Sequence, residues 1–394
     1  MARMRWMLGP TFLAISIISQ PTDRPRARDL GIAPGSLTPG ALNAITDVNG
    51  VRVGHVTLRE GDTVRTGVTT ILPHGGNLFQ DKVAGAVFVG NAFGKLAGST
   101  QVQELGTIET PIVLTNTLSV GTAVDAVARW TTAQSGNENV RSVNALVGET
   151  NDGSLNDIRG QHVTREHVIA AITSAKGGAV EEGAVGAGTG TVAFGWKGGI
   201  GTSSRTVRMG NDTWTVGVLV QSNYGGKLVI DGVPVWKELS PGRPRVAGDL
   251  SRRSPGGAKA DGAKEESTAD GSCMIVVATD APLDAKALQR LAARAIFALA
   301  RTGSTYSNGS GDFSIAFSTH ASQRVTGAAG PQNRVVIPTD GVSGLFEAVL
   351  DATEEAVDNS LLRAADVTAN GRTIPAIPID PLRALLKKYG RGIQ

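Results

Sequence analysis

A single cysteine, Cys273, in a chain of 394 residues excludes an intrachain disulfide and any thiolate metal cluster. Aromatic residues make up only 4%, and no stripe of Arg and Lys carries aromatics between its charges, so nucleic-acid recognition lacks its stacking platform. The five histidines, His55, His74, His162, His167 and His320, form no H-E-x-x-H, and the nearest pair, His162 and His167, straddles a loop-to-helix junction. That spacing does not put two imidazoles on one helical face, so no metal site is expected. A Ser-His-Asp triad is equally unsupported, because no G-x-S-x-G elbow is present. No window of eighteen apolar residues occurs, so no committed transmembrane span and no membrane partner is expected. Charge of either sign is not in excess: 38 basic against 35 acidic residues give +3.

Glycine, by contrast, is abundant, with 51 residues set in short strings between β-branched ones, and 41% of the chain is apolar. This composition suits a compact α/β enzyme with tight turns and close backbone approaches. The string "GAGTGT" at 186–191 runs into "VAFGWKGG", a strand pattern, so no helix N-terminus faces a pyrophosphate and no cofactor is called for.

Short strands are expected at Val51–Thr57, Thr66–Leu72, Ala84–Val89, Ile108–Thr115, Val143–Val147, Gly190–Phe194, Trp214–Val220, Cys273–Thr279, Phe313–Ser318 and Val335–Pro338. Helical periodicity runs through "TLSVGTAVDAVARW", from Thr164 as N-cap through "REHVIAAITSA", from Asp284 to Ala300, through "GLFEAVLDATEEAVDNSLLRAA" and from "DPLRALLKKY". Together they predict two sheets in the middle with helices outside. The first twenty residues, "MARMRWMLGPTFLAISIISQ", combine early arginines with an apolar run broken at Gly9-Pro10. Two readings stand open for residues 1–25: an export signal, with a periplasmic protein, or a frayed extension of a cytoplasmic one. Residues 26–394 read as one catalytic domain interrupted by an exposed polar spacer at about 241–270.

That spacer ends on "TADGSCMIVVATD", where Gly271-Ser272 lead straight into a continuously apolar strand. Ser272 reads either as an ordinary strand start or as the first residue after a cut in a solvated loop. A cut would give Ser272 a free α-amine of pKa about 8, able to take its own hydroxyl proton. Such a serine needs no histidine. Acyl chemistry also needs an oxyanion donor, for which Asn223 at the end of "VLVQSN" offers a carboxamide. In "NGSGDF" Ser310 and Asp312 stand two apart just before a strand, and share one side of it if strand geometry already starts there.

The segments "NAITDVNGVRVGHVT" (43–57), "ELGTIETPIVLTNTLSVG" (104–121), "GETNDGSLNDIRG" (148–160), "VLVQSNYGG" (218–226), "GSCMIVVATDAPL" (271–283) and "NGSGDFSIAFST" (308–319) resemble the L-aminopeptidase D-amidase/D-esterase (DmpA) family, which includes the β-peptidyl aminopeptidases. The resemblance implies an αββα sandwich of the type shared with the ornithine acetyltransferases, N-terminal-nucleophile-like in chemistry. It implies self-cleavage between Gly271 and Ser272 into an α chain (26–271) and a β chain (272–394), assembled as a tetramer of αβ units. Residue by residue, Ser272 corresponds to the nucleophile, Asn223 to the oxyanion amide, Ser310 and Asp312 to the supporting relay, and Glu149 to the acid that receives the substrate's free amine. The expected activity is release of N-terminal α- or β-amino acids from short peptides, amides or esters. The alternative is acyl transfer to an ornithine-type amine, against which stands the Gly-Ser cut site where the related transferases have threonine. Asn151 stands where some members carry a tyrosine, and the spacer is longer than the family's usual loop.

Overall fold

The computed structural model describes residues 24–242, 245–246, 271–327 and 330–393. The N-terminal stretch read as a signal or extension, and most of the spacer before Gly271, lie outside the described residues. The strands of the two main sheets are β1 (Arg52–Glu60), β2 (Val64–Leu72), β3 (Asp81–Ala92), β4 (Leu96–Ala97), β5 (Thr107–Ile108), β6 (Ile112–Asn116), β7 (Leu146–Thr150), β8 (Gly199–Met209), β9 (Asp212–Asn223), β10 (Ser272–Thr279), β11 (Gly311–Ser318) and β12 (Val325–Thr326). One sheet has the order β1-β2-β6-β7-β4 and the other β8-β9-β10-β11-β3-β12, with β5 added to β3. Among the described residues only β6–β7 and β10–β11 pair in parallel.

Four helices close the outer faces: α1 (Val120–Thr132) and α2 (Arg165–Thr173) on the first sheet, α3 (Ala285–Arg301) and α4 (Ser343–Leu362) on the second. Three apolar layers result. Val68, Val113 and Val147 meet Ala126, Val127 and Val168 under α1 and α2. Ile71, Leu114 and Leu146 meet Leu219, Met274 and Val276 between the sheets. Cys273, Ile275 and Val277 meet Leu288, Leu291, Val349 and Ala356 under α3 and α4. This is the expected αββα sandwich. It also explains why β10 is apolar without alternation, since both of its faces are covered.

Local chemistry sets the helix starts. The Asn116 carboxamide accepts the N–H groups of Leu118 and Ser119 in the turn before α1, and the Asp284 side chain accepts from Ala287 at the start of α3. At α2 the Thr164 N–H donates to His167 Nδ1, so His167 serves the cap.

Four expectations are corrected. The run Ile108–Thr115 is two strands on different sheets, because Pro111 has no N–H and breaks the ladder between β5 and β6. The strand expected at Val143–Val147 lies at Leu146–Thr150, and that at Gly190–Phe194 shrinks to Val192–Ala193. Residues Val335–Pro338 form no strand; the Ile337 N–H bonds instead to the Pro282 carbonyl. Strand β8, unforeseen in a run of Gly, Ser, Thr and Arg, pairs along its whole length with β9 through the two-residue turn Gly210-Asn211.

Candidate active site

Ser272 is the first residue of β10, held between β9 and β11. Across the antiparallel pair it faces Asn223, the last residue of β9, and across the parallel pair it faces Gly311, the first residue of β11. Three strand ends therefore converge on one hydroxyl, and Ser272 is only 5% exposed. The Gly311 N–H lies 3.1 Å from the Gly271 carbonyl oxygen and 3.3 Å from Ser272 Oγ. One backbone donor thus serves both the carbonyl that a cut would open and the atom that would open it. Gly271 is dictated by crowding: a Cβ there would sit 2.1 Å from the Asn223 carbonyl oxygen.

Cys273 points the other way, into the layer beneath α3 and α4, where burial pushes its thiol well above the ordinary range, with the Asp312 charge adding to the shift. Burial and that shift both work against a reactive thiolate at Cys273.

The Asn223 carboxamide is fixed at both ends. Its Oδ1 accepts from the Val192 N–H at 2.9 Å, and its Nδ2 donates to the Asn151 carbonyl at 3.0 Å. Nδ2 carries a second hydrogen for another acceptor. The departure at position 151 thus enters the site through its backbone.

Ser310 and Asp312 come together as expected: Ser310 Oγ donates to both Asp312 carboxylate oxygens at 2.9 Å. Burial pushes the Asp312 carboxyl up to about 6, restrained by hydrogen bonds from Ser310 and the Cys273 N–H. That last bond ties the carboxylate to the nucleophile strand. The Ser310 carbonyl in turn accepts from the Phe93 N–H.

Glu149, near the end of β7, is 2% exposed. Oε1 accepts from the Lys95 N–H at 2.9 Å, Oε2 accepts from the Thr117 hydroxyl, and the Lys95 ammonium lies 3.8 Å away on a side chain more than half exposed. Gly94 joins this carboxylate to the nucleophile end, since its missing Cβ would touch Glu149 Oε1, the Phe313 ring and Gly311 Cα. The six candidate positions, Gly271, Ser272, Asn223, Ser310, Asp312 and Glu149, therefore cluster about neighbouring strand ends, with Asp312 paired to Cys273 and so on the helix-facing side of β11, opposite the side chain of Ser272. Gln221 stitches the sheets together there, donating to the Thr115 and Ala187 carbonyls and to Thr150 Oγ1.

Sequence reading missed three participants. Gly311 acts through a backbone N–H that no side chain announces, although its place between Ser310 and Asp312 was the available signal. Lys95 and Thr117 contact Glu149 from loops far away in sequence. A hollow of about 610 Å³ lined by Gly121, Asp125, Thr164 and Arg165 includes none of the site residues. Among the described residues no group of His, Cys, Asp and Glu is arranged to hold a metal ion.

Comparison with known proteins identifies the family. Residues 43–374 match the model of peptidase family S58. The β-peptidyl aminopeptidase BapA of Sphingosinicella microcystinivorans is 42% identical over 408 residues, covering 98% of this chain and 99% of that protein. A β-aminopeptidase from Burkholderia sp. superposes with a TM-score of 0.80 at 40% identity, covering 93% of this chain and 99% of the other. The L-aminopeptidase D-Ala-esterase/amidase of Ochrobactrum anthropi, described as a serine aminopeptidase with a variant Ntn-hydrolase fold, gives 0.82 at 35% identity, with 93% and 99% covered. The chain belongs to peptidase family S58, the L-aminopeptidase D-amidase/D-esterase family that its motifs resemble.

Proposed function

We propose that the chain is a self-processing serine aminopeptidase that releases N-terminal α- or β-amino acids from short peptides, amides or esters through an acyl-enzyme on Ser272. The observation that carries this reading is the Gly311 N–H shared between the Gly271 carbonyl oxygen and Ser272 Oγ. In the precursor, Ser272 Oγ attacks the Gly271 carbonyl carbon while Gly311 stabilises the developing oxyanion. The Gly271–Ser272 C–N bond breaks, the peptide nitrogen takes the hydroxyl proton and becomes an amine, and water then hydrolyses the ester, leaving a Gly271 carboxylate.

In turnover the new α-amine accepts the Ser272 hydroxyl proton as Oγ attacks the substrate carbonyl, and it returns that proton to the leaving amine. Water completes the cycle by hydrolysing the acyl-enzyme. The free hydrogen on Asn223 Nδ2 serves the tetrahedral oxyanion. Ser310 and Asp312 orient the start of β10 and carry negative charge near the α-amine. Glu149 receives the substrate ammonium, which replaces the loosely held Lys95 ammonium while the Lys95 N–H and Thr117 hydroxyl stay in place.

This role for Glu149 makes the enzyme an exopeptidase. The relatives named above are aminopeptidases, which favours hydrolysis over the acyl-transfer alternative. Assembly of αβ units into a tetramer belongs to the same proposal and is read directly as solution mass by light scattering.

Intact mass under denaturing conditions tests the cut, with fragments of roughly 28 and 13 kDa expected from dividing 40.6 kDa by length. A β-alanyl dipeptide, an α-dipeptide and acetyl-ornithine then separate the activities. Glu149→Gln should still self-cut yet lose its preference for free over N-acetylated substrates. A single full-length species with full activity, or equal losses on both substrates, refutes the corresponding step.

A further inference from the structure

Lys197 is wholly buried, and the chemistry above does not use it. Its ammonium donates to three backbone carbonyls: Gly188 at 2.9 Å, Thr191 at 2.8 Å and Gly198 at 2.7 Å. Three acceptors around one nitrogen match the three N–H donors of an ammonium, whereas a neutral amine has two and would turn its lone pair on the third carbonyl. Burial pulls this lysine well below its ordinary range, and the Asp152 carboxylate opposes that shift. A buried cation is costly to maintain, so what it holds matters.

It holds the peptide unit that orients Asn223. The Thr191 carbonyl and the Val192 N–H are the two ends of one peptide plane. Lys197 donates to the carbonyl end, and the N–H end donates to Asn223 Oδ1 at 2.9 Å. A positive charge on the carbonyl pulls electron density through the amide and makes its N–H a stronger donor. That N–H in turn polarises the Asn223 carboxamide and sharpens Nδ2–H as a donor. The same contact decides which way the carboxamide faces, since only Oδ1 accepts from an N–H. The surrounding hairpin is pinned beside β9 as well: the Phe194 N–H bonds to the Tyr224 carbonyl, and the Lys197 N–H to the Pro375 carbonyl.

We infer that Lys197 is a positioning residue for the oxyanion donor, acting through the Thr191–Val192 peptide on the orientation and polarity of the Asn223 carboxamide. The inference rests on the reading of Asn223 given above. Its test is a double-mutant cycle between Lys197→Met and Asn223→Ala, with kcat and KM measured on an aminoacyl p-nitroanilide. Rates are normalised to the self-cut fraction by intact mass, and folding is checked by thermal denaturation.

Asn223→Ala should lower kcat by about 10²–10³-fold. Lys197→Met should lower kcat about 10–100-fold with KM within about twofold, and should cost less than about threefold more once Asn223 is already alanine. Unchanged kcat in folded Lys197→Met, or a loss that carries undiminished into the Asn223→Ala background, overturns the inference. If Asn223→Ala itself turns over at the wild-type rate, the reading of Asn223 fails instead.

Should Lys197→Met not fold, the same cycle is run with Lys197→Arg. The guanidinium keeps the charge, but its planar fork cannot serve three carbonyls converging on one centre. A loss of about 3–10-fold confined to the Asn223 background supports the inference, and an equal loss in both backgrounds overturns it.

Discussion

Gly271→Ala isolates the self-cutting step from everything that follows it. A methyl group at this position would lie 2.1 Å from the Asn223 carbonyl oxygen, 2.7 Å from Tyr224 Cα and 2.9 Å from the Asn223 carbonyl carbon. All three atoms are backbone, so no side chain can swing aside. Relief requires the chain before β10 to move by about 1 Å or more away from β9, a strain of the size that costs overpacked sites about 1–3 kcal/mol. A domain with about 5–15 kcal/mol of stability survives that strain. The Gly271 carbonyl does not keep its place, however. Its hydrogen bond to Gly311, 3.1 Å long, lies near the limit beyond which such bonds weaken, and a misplacement of about 1 Å costs a reaction about 10²-fold. The variant should therefore accumulate as folded, uncut precursor, followed by intact mass over time beside circular dichroism. The small fraction that does cut should turn over substrate at the wild-type rate, because residue 271 then ends a separate chain. Cutting at the wild-type half-life in folded Gly271→Ala would refute the geometric account of the precursor.

Ser272→Ala should abolish both cutting and turnover, whereas Cys273→Ala should cut and turn over normally. Mass and rate assays on the two variants decide it, and the reverse pattern would move the nucleophile to Cys273. The pH dependence of kcat should carry two protonations. An α-amine of ordinary pKa, about 8, must lose its proton, giving a slope near +1 in log kcat below that pH. The Asp312 carboxyl, raised to about 6, is ionised only above that value, so the slope should steepen toward +2 on its acid side. Asp312→Asn should show a lower rate without the steepening, and identical profiles would remove Asp312 from the relay. Glu355→Ala should cost about 3–5 kcal/mol, since Glu355 accepts from Arg205 at 2.7 Å and from Arg28, and its removal leaves the buried Arg205 without its ion-pair partner. Urea unfolding in the uncut Ser272→Ala background measures it, and a loss under about 1 kcal/mol would contradict the pairing.

Much of the candidate site was legible because its side chains sit where composition changes. Ser272, Asn223, Ser310 and Asp312 each mark the end of an apolar run, and strand ends are what glycine and polar residues reveal. Which ends meet was not legible. That Ser272 lies between Asn223 and Gly311 depends on β10 pairing antiparallel with one strand and parallel with another, a non-local choice made by burial on both faces. Strand β8 was hidden for a related reason. Its Ser203, Ser204 and Arg205 are buried by specific partners, among them the Ala352 carbonyl, Asp47 and Glu355, so polarity did not mean exposure. Lys197, alone in a glycine-rich turn, looks like a solvated residue until its three carbonyl acceptors are seen. Glu149 became a candidate only through family resemblance, because a carboxylate at a strand end has no local signature of what it binds.

The arrangement also bears on how one nucleophile serves two reactions with opposite needs. In the proposed mechanism cutting happens once, on a carbonyl already covalently in place, and it calls on the backbone donor of Gly311. In the same proposal turnover repeats on a carbonyl brought from solution and calls on Asn223, whose carboxamide is held by the Val192 and Asn151 backbone. Both proposed donors reach Ser272 through the strands that flank it, so the register that builds the sheet also places them. A slip of one residue in β10 would present Cys273 to the inter-sheet face and Ser272 to the helices. The apolar strand behind Ser272 is what prevents that slip, since Cys273, Ile275 and Val277 are packed under α3 and α4 while Met274, Val276 and Ala278 fill the space between the sheets. Core packing thus fixes the chemistry: the hydrophobic residues that follow the nucleophile are what aim it.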